Sequence, residues 1–102
     1  MAYESGALDA TLAAAAGEDS ALMAELRLAF VESARKQVDL LKRSRCDGNW
    51  NVAAMRLKGL AASFHASELY DLAEEALTSA PGEPTVVRKI EQVLQVFSPK
   101  QA

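Results

Sequence analysis

The side chains with types suited to chemistry are few, and most of them fall between residues 46 and 75. One histidine, His65, is the sole imidazole of the chain, and a ring nitrogen of this kind carries a proton or accepts a phosphoryl group. One cysteine, Cys46, follows Arg45, whose charge favours a thiolate, but without a second cysteine it closes no internal disulfide. Asp71, Glu74 and Glu75 supply carboxylates. With one histidine and no ligand spacing they read as a solvated acidic face rather than a metal site or an acid and base pair. No nucleophile finds its base in this set, and no glycine-rich phosphate loop or metal set can be assembled. The sequence therefore argues against an ordinary enzyme and calls for no cofactor and no metal.

The stretch Met55-Arg56-Leu57-Lys58-Gly59-Leu60-Ala61-Ala62-Ser63-Phe64-His65-Ala66 is more specific. At about 100° per helical residue, positions three, four and seven beyond Met55 share its face, which puts Lys58, Gly59 and Ala62 beside it and turns Arg56 about 100° away. A lysine there balances negative charge, while a glycine and an alanine leave room for another protein to approach.

This spacing resembles the core helix of histidine-containing phosphotransfer (HPt) domains, where a histidine is followed by x-Leu-Lys-Gly, small residues, an apolar residue, Gly and Ala. Leu57, Lys58, Gly59, Ala61, Ala62, Phe64 and Ala66 fit that pattern, whereas Met55 stands at the histidine position and His65 at the second glycine. The resemblance covers about Leu8 to Phe97. It implies an all-α fold, an antiparallel four-helix bundle with a short additional N-terminal helix, as a single domain over residues 1–102.

In the family the histidine takes a phosphoryl group from a receiver aspartate. A thioether has neither a titratable proton nor the ring nitrogen that accepts phosphate. The resemblance thus implies a two-component, phosphorelay-type protein that docks on a response-regulator receiver domain or a histidine kinase without carrying phosphate. Its docking residues would be Met55, Arg56, Lys58, Gly59 and Ala62, with Met55 as the degenerate phosphoacceptor position. Two alternatives stay open: an active relay with His65 as phosphoacceptor, and a structural or oligomerising helical module. On an unbroken helix His65 would lie about 15 Å from Met55 and roughly 80° round the axis, which favours a cap or corner residue. The family's aromatic lies further upstream of the histidine than Trp50 lies from Met55, which implies a later helix start and an altered loop over Cys46 to Asn49.

The elements that must hold this face follow from apolar periodicity. Leu22, Leu26, Phe30, Ala34, Val38 and Leu41 mark a long helix from about Ser20 to Arg45. Trp50 to Phe64 marks a third helix, and Leu69 to Leu77 a fourth, with Ser67 as its cap and Glu68 in its first turn. Val86 to Phe97 marks a fifth, started by Pro84, and an alanine-rich segment from Ser5 to Ala16 precedes them all. Glycines and prolines at Gly17, Gly48, Pro81, Gly82 and Pro84 punctuate the series. Alanine and leucine dominate a 50 % hydrophobic composition with only 6 % aromatics, which suits closely packed helices.

A net charge of -3 offers no broad basic footprint, so nucleic acid is not an expected partner. No apolar run reaches a membrane span of about 18 residues, and the first residues lack a signal-peptide pattern. The expectation is a cytoplasmic protein with no membrane partner.

Overall fold

The computed structural model describes residues 6–98. They form five α-helices: α1 (Gly6–Ala16), α2 (Ser20–Arg43), α3 (Asp47–Phe64), α4 (Ser67–Leu77) and α5 (Pro84–Phe97). No strand occurs among the described residues, and no helix is long and apolar enough to cross a membrane.

Helix starts and stops have local causes. Asp19 caps α2, its carboxylate accepting from the Leu22 amide at 3.0 Å. Glu83 plays the same part for α5, accepting from the Thr85 amide, while Pro84 supplies the first turn. The fourth helix departs from expectation: Ser67 is its first residue rather than its cap, and Ala66 occupies the cap position with no side-chain bond. The third helix also departs. It begins at Asp47, so Gly48 and Asn49 are helical and the connecting loop shrinks to Ser44, Arg45 and Cys46.

One apolar core runs through all five helices. Phe30, Val31, Ala34, Val38 and Leu41 of α2 are buried with Ala53, Ala54, Leu57 and Ala61 of α3. From α5 come Val86, Ile90, Val93, Leu94 and Phe97, and from α1 Leu8 and Leu12. Leu22, expected in the stripe of α2, is instead 37 % exposed, because the buried stripe begins further along, at Phe30 and Val31. The ring of Phe30 lies 4.8 Å from that of Phe64 and 6.1 Å from that of Phe97, tying α2 to α3 and α5. Trp50 is fully buried and donates from Nε1 to the Ala76 carbonyl at 2.7 Å, which fixes the start of α3 against the last turn of α4. Alanines at these contacts let the helix backbones approach closely. That close seam leaves the opposite side of α3 open.

Candidate functional site

The open side of α3 is the candidate site. Helical spacing puts Val52, Met55, Gly59 and Ala62 along one stripe, and all four are exposed. Their helix is held from behind by Trp50, Ala53, Ala54, Leu57 and Ala61, each buried. Alternation of buried and open positions along one amphipathic helix therefore presents Met55 outward, at 54 % exposure. Val52 at 49 % makes a second exposed apolar side chain one turn before it. A Cβ added at Gly59 would meet nothing within 4 Å, so no neighbour inside the protein requires a glycine there.

The two cations of the stretch fall on different sides and have different company. Lys58 leans toward α4, where its Nζ lies 3.3 Å from a Glu74 carboxylate oxygen and 5.5 Å from the centre of the Tyr70 ring. Its charge is thus offset by an acid and spread over an aromatic face. Arg56 is exposed on the side of α2 and makes no ion pair among the described residues. It lines a cleft of about 400 Å³ together with Leu40, Arg43, Asn49, Val52 and Ala53.

His65 ends α3 in the left-handed conformation, φ 57 and ψ 36. The His65 amide donates to the Ala62 carbonyl at 3.3 Å and the Ala66 amide to the Ala61 carbonyl at 2.8 Å. These two bonds close the end of the helix in the pattern that normally uses glycine. The corner expected from sequence is found, and its exposed side chain lines a separate cleft with Ser67, Tyr70 and Asp71.

The structure therefore brings Met55, Gly59 and Ala62 together, with Arg56 on one flank, Lys58 drawn to the other and His65 at the far end of the helix. Sequence reasoning missed Val52 and Tyr70, took Glu74 for part of a solvated acidic face, and did not join Arg43 to this surface. Val52 had a signal, since it lies three residues before Met55 on the same face. The other three come from α2 and α4, and spacing within α3 carries no information about them.

Met55 brings a polarisable, flexible apolar side chain suited to an adaptable protein surface. Cys46 is exposed at the start of α3. Among the described residues no group of three histidine, cysteine, aspartate or glutamate side chains is placed to hold a metal ion. No protein-family model, no curated protein and no solved structure matches this chain.

Proposed function

We propose that this chain is a degenerate HPt-like signalling module, which docks on a response-regulator receiver domain or a histidine kinase and carries no phosphate. The observation that carries this reading is Met55 itself, 54 % exposed at the centre of an outward helix face, with Gly59 open beside it. An exposed methionine beside Val52 and two small residues fits a protein contact and cannot perform in-line phosphoryl capture.

The same reading makes the architecture an antiparallel four-helix bundle with α1 laid against it. Support comes from two contacts of α2 with α5 and the Ser98 cap that ends it: Arg35 reaches Ser98 at 2.8 Å and Lys42 reaches Glu91 at 3.0 Å, rising numbers on one side matching falling numbers on the other. A relay through His65 has less support. Its ring belongs to the left-handed corner that ends α3, ten residues beyond Met55.

The test uses purified kinases and receiver domains with labelled phosphate. Wild type is expected to bind at least one of them and to remain unlabelled; label on wild type overturns the reading. Met55→His is expected to acquire acid-labile label from a receiver, and to keep it when His65 is also changed to alanine.

A further inference from the structure

The open face of α3 is electrically lopsided. On its α4 edge Lys58 is already paired with Glu74, and Asp71 is exposed nearby. Asp47, about 140° round the helix from Val52, turns to the same side as Lys58. On the α2 edge stand Arg43 and Arg56, both exposed, with the cleft of about 400 Å³ between them. Arg43 pairs with Asp39 at 2.9 Å, one turn back on its own helix, with the two side chains 66 % and 63 % exposed. A pair so exposed contributes little and exchanges readily for a better partner. Arg56 has no ion pair among the described residues to give up.

The apolar exposure lies against this basic edge. Val52 lines the cleft and neighbours Met55, and Leu40 and Ala53 complete its apolar walls. An approaching carboxylate is attracted to the α2 edge and repelled by the exposed Asp47 and Asp71 of the α4 edge. An ammonium group meets the opposite field.

We infer that the cleft between the end of α2 and the first half of α3 seats an acidic side chain of the docking protein, while an apolar side chain of the same segment lies across Val52 and Met55. This deepens the docking reading and rests on it. The acid is read by Arg43 and Arg56, and Lys58 serves the packing of α3 on α4.

The experiment titrates isotope-labelled protein with two synthetic helical peptides, identical except for glutamate or lysine at the charged positions, each with leucine one turn away. The glutamate peptide is expected to shift the amide signals of residues 43, 52 and 56 saturably, and the lysine peptide to leave them. The double variant R43E and R56E should weaken the glutamate peptide by about tenfold or more, whereas Lys58→Ala should stay within about twofold. Circular dichroism checks that each variant folds. Equal response to both peptides, or none in the cleft, overturns the inference. The same variants are then measured against receiver domains. A receiver that binds wild type and binds R43E with R56E equally well removes the cleft and leaves docking standing. Glutamate-peptide binding in the cleft with no receiver or kinase bound keeps the cleft and removes the docking reading.

Discussion

His65 is the one non-glycine residue with positive φ among the described positions. An L-residue in that region costs about 1 to 2 kcal/mol, and glycine relieves most of it where a helix ends this way. His65→Gly should therefore raise stability by about 1 kcal/mol, read from the urea midpoint followed by circular dichroism. A lowered midpoint would mean that contacts of the imidazole outweigh the backbone cost. Gly59 is the converse case. It sits inside a helix, where glycine costs about 0.5 to 1 kcal/mol relative to alanine, and a Cβ there meets nothing within 4 Å. Gly59→Ala should stabilise the fold by up to about 1 kcal/mol while weakening docking, so stability and binding move in opposite directions. Unchanged binding would show that the partner does not approach this residue. Sequence pattern was informative at His65, where the expected helix corner is found in the left-handed conformation.

At the scale of elements, the pairing of α3 with α4 sets the site. Trp50 is buried and its indole N–H reaches the Ala76 carbonyl, which also accepts from the Ser79 amide at 3.1 Å. Trp50→Phe removes one buried hydrogen bond and part of a ring without stranding that carbonyl. The expected loss is about 1 to 3 kcal/mol, measured by circular dichroism because Trp50 is the only tryptophan. The helices themselves were legible: the apolar period of three and four located α2 to α5, alanine-rich composition ahead of Gly17 marked α1, and Pro84 and Phe97 bound α5 as expected. Their edges were less so. Gly48 and Asn49 are poor helix formers and read as loop, yet burial of Trp50 and Ala53 extends the helix back to Asp47. Tertiary packing overrode local preference there. At α4, Ser67 carries a capping side chain, but the tight corner at His65 and Ala66 starts the helix one residue earlier than a serine cap would allow.

For the whole molecule, apolar contact and charge are separated in space, and this decides how each responds to salt. The core is built from fully buried Leu, Val, Ile, Phe and Trp side chains, whose contribution is insensitive to moderate salt concentrations. Every ion pair among the described residues has at least one side chain 43 % or more exposed. Exposed pairs contribute at most about 1 kcal/mol each and are screened beyond about 10 Å at 0.1 M salt. The partners in these pairs come from different helices in four of the cases, as Lys58 with Glu74 does, so no spacing within one helix announces them. This is why Met55, Gly59 and Ala62 could be placed on one face from sequence, while the electrical lopsidedness of that face required the fold. Raising sodium chloride from 0.05 M to 0.5 M should thus move the melting temperature by only a few degrees, since about 1 kcal/mol corresponds to roughly 4 to 8 °C in a domain of this size. Binding of an acidic segment at Arg43 and Arg56 should fall severalfold over the same range, because it depends on charges at a solvent-exposed rim. Parallel melting and titration series make the comparison. A large melting shift with salt-independent binding would place the charges in the fold's stability and leave the basic edge without a role in recognition.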